Sequence, residues 1–224
     1  MKNKKLFLLF SHGFGNQKDD RGLFPDIVRA LGTPDNRMFD YNDINAERNV
    51  LTVKPLYEQV KILKKNLDEI QSNPENDVVL ICHSQGCLIP SLLGPENIKH
   101  TIFIAPQHNI SIYRMVNMFK DRPGSEINLS GTSVFARRDG SKTLVPPEYW
   151  RSIKNIDPIS LFNDFSRKTK LYIFVPTKDE VLGKTDFSNI SSRACVDYIE
   201  SNHDFTDGGR HVLFEKIKSA IYPT

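Results

Sequence analysis

Ser84 stands where a serine can act as a nucleophile. Val78–Cys82 (VVLIC) is a short, continuously apolar run that reads as a buried strand. His83-Ser84-Gln85-Gly86 follows it directly, before an apolar stretch, Cys87–Leu93, that reads as a helix shortened or bent by Pro90. A strand entering a tight turn and then a helix sets the turn residue at the carboxyl end of the sheet, where open α/β sheets do their chemistry. Such an elbow crowds the residues two before and two after its centre, so both should be small. Gly86 meets that demand, whereas Cys82 stands where a glycine is usual. A serine hydroxyl is a poor nucleophile until a base takes its proton, and that base needs a carboxylate on its far nitrogen. His203 and His211 are the candidate bases, and Asp179, Glu180, Asp197, Asp204 and Asp207 the candidate acids. The plainer alternative makes Ser84 an ordinary helix N-cap.

These groups need a frame. Leu6–Phe10, Val78–Cys82, Thr101–Ala105, Leu171–Val175 and Ala194–Ile199 are apolar runs of strand length, and Met38–Tyr41 is a weaker strand candidate. Between them, Phe24, Ile27, Val28 and Leu31 recur at helical spacing up to Gly32. Leu56, Val60, Leu63, Leu67 and Ile70 define a longer helix with lysines outside, and Leu213, Ile217, Ala220 and Ile221 a final one. Strands of continuous rather than alternating apolar character, separated by helices, predict a mostly parallel sheet covered on both faces. One segment breaks the rhythm. Residues 106–170 carry Pro106, Pro123-Gly124, Gly131, Gly140 and Pro146-Pro147 around an apolar piece with Tyr113, Met115, Met118 and Phe119. So long a connection predicts a lid or substrate-binding insertion, with those four residues and Trp150 as candidate pocket lining. The plainer alternative is a helical excursion that only covers the sheet. Arg137-Arg138 within it reads as a solvated face, and as a site for an anionic substrate group only in second place.

With strand–elbow–helix in place, the sequence resembles the α/β-hydrolase superfamily of serine hydrolases. His83-Ser84-Gln85-Gly86 matches the nucleophile elbow, which implies Ser84 as nucleophile. Ser11-His12-Gly13-Phe14-Gly15 resembles the oxyanion loop, implying that the backbone N–H groups of Phe14 and Gln85 form the oxyanion hole. Pro176–Leu182 resembles the loop of the acid, implying Asp179, and Ser201–Phe205 the loop of the histidine, implying His203. His211 opens the last helix instead of lying on that loop. The order Ser, Asp, His is the family's. The resemblance spans nearly the whole chain and implies a compact version of about six strands, beginning at the family's third strand. It implies ester or related acyl hydrolysis through an acyl-enzyme, without cofactor or metal. A carboxylesterase is favoured over a thioesterase or serine peptidase, and a non-catalytic binding protein is the remaining alternative.

Composition narrows the field further. The 224 residues suit one domain, 1–224, and 39% hydrophobic with 25% charged residues excludes a disordered or fibrous chain. The formal charge of +3 is scattered, with one basic cluster at Lys2, Lys4 and Lys5, so a nucleic-acid binder is not expected. Cys82, Cys87 and Cys195 show neither CxxC spacing nor an even count, and read as packing residues. LFLLF after the lysines is shorter than a signal-peptide core and far shorter than a membrane span. The expectation is a cytoplasmic protein acting on a small acyl compound. Gly13-Phe14-Gly15 after a strand faintly suggests dinucleotide binding, but Lys18 stands where the third glycine belongs. No HExxH is present to suggest a metallohydrolase.

Overall fold

A computed structural model describes residues 4–32 and 35–222. Lys2 of the basic cluster lies outside them. The central sheet has six strands, all parallel: β1 (Lys5–Ser11), β2 (Asn36–Arg37), β5 (Asn76–His83), β6 (Ile98–Ile104), β9 (Lys170–Pro176) and β10 (Cys195–Ile199), in the order β10-β9-β6-β5-β1-β2. The expected strands are all present except the weak one. The chain pairs with β1 through Asn36 and Arg37, just before Met38–Tyr41, which is irregular.

Alternation along the strands explains why their apolar runs are unbroken. Leu9, Leu80, Phe103 and Ile173 pack on one face, and Leu8, Phe10, Ile81, Ile104 and Phe174 on the other. The first face carries α2 (Leu56–Gln71), α3 (Leu88–Leu93) and α6 (Pro158–Phe165). The second carries α1 (Leu23–Leu31) and α7 (Gly209–Ile221). Gly32 closes α1 at φ 59°, a left-handed cap that any side chain would strain.

Residues 106–170 hold more than helices. After α4 (Ile112–Phe119) come two strands, β7 (Ser133–Ala136) and β8 (Lys142–Val145), then α5 (Pro147–Ile153) and α6. β7 and β8 form an antiparallel hairpin, and β8 pairs in parallel with β4 (Val50–Thr52), itself antiparallel to β3 (Asp43–Asn45). This second, four-stranded sheet ties the segment to the connection between β2 and α2. It was not expected from the apolar pattern, because its strands are three or four residues long and partly exposed. The Asp139-Gly140 pair between two β-prone runs is the turn signal that points to the hairpin.

Candidate active site

β5 delivers the chain to Ser84, which has φ 52°. A non-glycine residue in the left-handed region is strained, and the neighbouring elements hold it there. Ser11 at the end of β1 donates from Oγ to the Gly86 carbonyl (2.8 Å) and lies 2.8 Å from the Tyr41 hydroxyl. A Cβ on Gly86 would collide with the backbone carbonyls of Ser11 and His12, so the second residue after Ser84 has to be glycine. Cys82, two residues before, is fully buried and its side chain is accommodated.

Two loops at the same edge of the sheet complete a file of hydrogen bonds. His203 Nε2 is 3.1 Å from Ser84 Oγ, and His203 Nδ1 is 2.7 Å from Asp179 Oδ2. The other oxygen, Asp179 Oδ1, accepts from the backbone N–H groups of Val181 (2.8 Å) and Leu182 (2.6 Å). Backbone bonds from Thr177 N to Ile199 O and from Lys178 N to Ser201 O, both 2.9 Å, clamp the Asp179 loop to the strand and loop that lead to His203. Asp179 and His203 are buried while Ser84 is half-buried, so the file opens to the outside at the serine.

The rival groups are otherwise engaged. Exposed His211 lies on α7, away from Ser84. Asp197 pairs with Lys216 (2.5 Å), Asp204 with Arg21 (2.7 Å), and Asp207 accepts from the Ser201 hydroxyl and the Asn202 N–H. Glu180 is exposed, yet its Oε2 accepts from the His203 backbone N–H (3.1 Å), a contact that sequence reasoning did not foresee.

Two further histidines brace the turns. His12 Nδ1 donates to the Gly13 carbonyl (2.9 Å) and its Nε2 accepts from the Tyr41 N–H (3.0 Å). Burial pushes its pKa down, in keeping with a neutral ring that accepts at one nitrogen. His83 Nδ1 is 2.8 Å from Asp20 Oδ2, and both side chains are buried. Asp20 also accepts from the Gly13 N–H (3.1 Å) and from Asn16 Nδ2, so one carboxylate holds the loop before Phe14 and the residue before Ser84. Burial alone would lower the pKa of His83 and raise that of Asp20. Their mutual attraction and hydrogen bond outweigh it, so His83 is raised above 6.5 and Asp20 lowered below 3.8. Nothing in the sequence flags Asp20, which sits in a polar loop and reaches His83 only in the folded state.

The pair therefore carries a testable stability term. Asp20→Ala strands a buried histidine and should cost about 3–5 kcal/mol of unfolding free energy near pH 6. A depressed aspartate stabilises above its unfolded pKa and loses that contribution as pH falls through the folded value. A raised histidine stabilises below its unfolded pKa and loses it as pH rises through the folded value. The difference between wild type and variant in urea unfolding should thus be full between about pH 4 and 6.5 and shrink on both sides. A difference below about 1 kcal/mol near pH 6 would reduce the pair to an ordinary hydrogen bond.

Ser84 and His203 line a cavity of about 110 Å³ with Phe14, Gln85, Met115 and Phe119, and Met118 lines it too. Tyr113 does not. At about 100° per residue it projects from α4 opposite to Met115, Met118 and Phe119, and it is 75% exposed. Trp150 is likewise absent from the lining, being packed in the core, while its neighbour Tyr149 reaches the cavity and donates its hydroxyl to Gln85 Oε1. Cys195 is exposed rather than a packing residue; Cys82 and Cys87 are buried. Among the described residues one cluster has metal-ligand chemistry, His83, His203 and Asp204, with candidate ligand atoms within 4.8 Å of one another. Each ring nitrogen in it is already hydrogen-bonded, to Asp20, the His203 carbonyl, Asp179 or Ser84. No helix among the described residues is long and apolar enough to cross a membrane.

No family model matches the sequence, and no curated protein matches it. Solved structures do. Est1E from Butyrivibrio proteoclasticus is similar at a TM-score of 0.67 and 15% identity, over 99% of this chain and 88% of its own. The Pyrococcus furiosus esterase Pf2001 is similar at 0.67 and 13%, over 98% and 81%. An alpha-beta serine hydrolase homologue from Coxiella burnetii is similar at 0.58 and 14%, over 97% and 85%. The chain has the α/β-hydrolase fold. Within the α/β-hydrolase frame, Ser84, Asp179 and His203 come from the ends of three different strands, β5, β9 and β10, and meet at the carboxyl edge of the sheet.

Proposed function

We infer that this protein is a serine hydrolase that cleaves carboxylic esters through an acyl-enzyme. The observation that carries the reading is the file Asp179–His203–Ser84, whose serine end opens on a cavity walled partly by apolar side chains. In this reading His203 Nε2 takes the Ser84 proton as Oγ attacks the ester carbonyl carbon. Asp179 keeps the remaining proton on Nδ1 and stabilises the imidazolium. The backbone N–H groups of Phe14 and Gln85 bind the tetrahedral oxyanion, each worth about 3–4 kcal/mol. His203 then hands its proton to the departing alcohol, and water, activated by the same histidine, hydrolyses the acyl-enzyme.

The segment 106–170 supplies the substrate cover through α4. Met115, Met118 and Phe119 contribute apolar lining, and the cavity falls below the ~300 Å³ of ordinary ligand pockets, which favours a short acyl group. An exposed, unpaired Cys195 fits a reducing, cytoplasmic setting.

Labelling with a fluorophosphonate and a substrate panel test this reading together. One adduct on Ser84 is expected, with turnover of short p-nitrophenyl esters above that of acyl-CoAs and aminoacyl amides. Absence of labelling and turnover would leave a non-catalytic binding protein. Acyl-CoA or amide turnover above ester turnover would transfer the same Ser-His-Asp chemistry to a thioesterase or peptidase.

A further inference from the structure

A guanidinium without a carboxylate lies in the cavity beside Ser84. Arg137 follows β7, and the turn to β8 is closed by backbone bonds from Arg137 N to Ser141 O (2.9 Å) and from Gly140 N to Arg137 O (3.2 Å). Its side chain turns back over the sheet. Nε donates to Thr143 Oγ1 (2.8 Å), and Nη2 makes a long contact with the Gly15 carbonyl (3.5 Å). The guanidinium lies 5.1 Å from the ring centre of Phe119 and 5.8 Å from that of Phe14, both of which line the cavity with Ser84 and His203. It forms no ion pair with any described residue.

Its surroundings make the imbalance larger. The charged residues lining the cavity are Arg21, Arg114 and Arg137 against the carboxylate of Asp204, which Arg21 already engages at 2.7 Å. At the adjoining opening Arg122 and Arg138 join Arg137, with the Arg122 guanidinium 4.5 Å from the ring centre of Phe119. The acids there are committed too. Asp139 accepts from the N–H and hydroxyl of Ser141, and Glu180 accepts from the His203 N–H. Desolvation, reinforced by Arg21 and Arg122 and only partly offset by Asp139, pulls the Arg137 pKa down to about 10, so its cation is held in place at a cost. A partly desolvated guanidinium over apolar rings, lining the cavity with no ion-pair partner among the described residues, suits a planar or tetrahedral oxyanion that it can grip with two hydrogen bonds.

We propose that Arg137 binds a carboxylate or phosphate group of the substrate, so that the preferred ester is anionic. The proposal rests on the ester-hydrolase reading above and names the substrate class of that site. Arg122 and Arg138, at the opening, add long-range attraction that draws anions to it.

Matched esters test it. Methyl pentanoate and monomethyl glutarate differ by a terminal carboxylate on the acyl group. Ethyl butanoate and 2-phosphoethyl butanoate differ by a phosphate on the alcohol. In one pair the anionic member should have a kcat/KM about 10- to 100-fold above its neutral partner, and which pair does so identifies the source of the anion. Arg137→Gln should bring that ratio close to one. Arg137→Lys, a point charge without the planar fork, should leave an intermediate ratio. Should Arg137→Gln fail to fold by circular dichroism, the lysine variant carries the comparison. Wild-type ratios near one in both pairs, with neutral esters turned over and Ser84 labelled, overturn the anion site and leave the hydrolase reading intact. An undiminished ratio in both variants removes Arg137 from the role. Failure of every ester, together with no labelling of Ser84, overturns the hydrolase reading and the anion site with it.

Discussion

Ser84→Ala is expected to lose about 10³–10⁶ in kcat on an activated ester while keeping the fold. Ser84 Oγ is the atom 3.1 Å from His203 Nε2, and alanine removes it without adding volume. The elbow itself survives, because its left-handed φ of 52° is imposed by β5 and by the close approach of Gly86 to β1, neither of which uses the hydroxyl. Alanine meets the same backbone strain as serine at that position, so the melting temperature should stay within about 2 °C. Residual rate would come from the oxyanion donors and from binding alone. Near-normal esterase activity in a preparation freed of contaminating enzyme would refute the nucleophile assignment and the proposed mechanism with it.

Asp179→Asn should cost about 10⁴ in kcat, the loss known for this change in a serine protease. The hydrogen bonds give the reason. Asp179 Oδ1 is held by the N–H groups of Val181 and Leu182, leaving Oδ2 for His203 Nδ1. An asparagine has one carbonyl oxygen, and the two amides would claim it. Its NH₂ would then face His203 Nδ1 and force the ring proton onto Nε2, where it cannot accept from Ser84. Glu180→Gln is the informative companion. Glutamine still offers a carbonyl oxygen to the His203 N–H, so its loss should stay below about ten-fold. The opposite pattern, an active Asp179→Asn and a dead Glu180→Gln, would transfer the acid role to Glu180.

Much of this molecule is local in origin. The apolar runs in β1, β5, β6 and β9 are buried on both faces, so their burial demand is written continuously into the chain and needs no partner to be recognised. Helices α1, α2 and α7 are legible for a related reason, since their apolar spacing follows 3.6 residues per turn. Ser84 could be named because it lies just past such a strand, whereas Asp179 and His203 were singled out from rival acids and His211 by the resemblance of the loops after β9 and β10 to the family's acid and histidine loops. Gly86 was legible as well, through the steric demand of the elbow.

Tertiary structure alone decided what depends on distant partners. β3, β4, β7 and β8 are too short to carry a burial pattern and exist through pairing with one another. Tyr113 leaves the cavity while Met115, Met118 and Phe119 enter it, because the chain does not say which side of α4 meets the sheet. Asp20 finds His83 sixty-three residues away, and Arg137 reaches Gly15 across 122. A polar side chain is compatible with solvent or with a buried partner, and only the folded packing selects between them. That selection turns Arg137 from one of two adjacent surface-like arginines into a cation lining the same cavity as the candidate nucleophile.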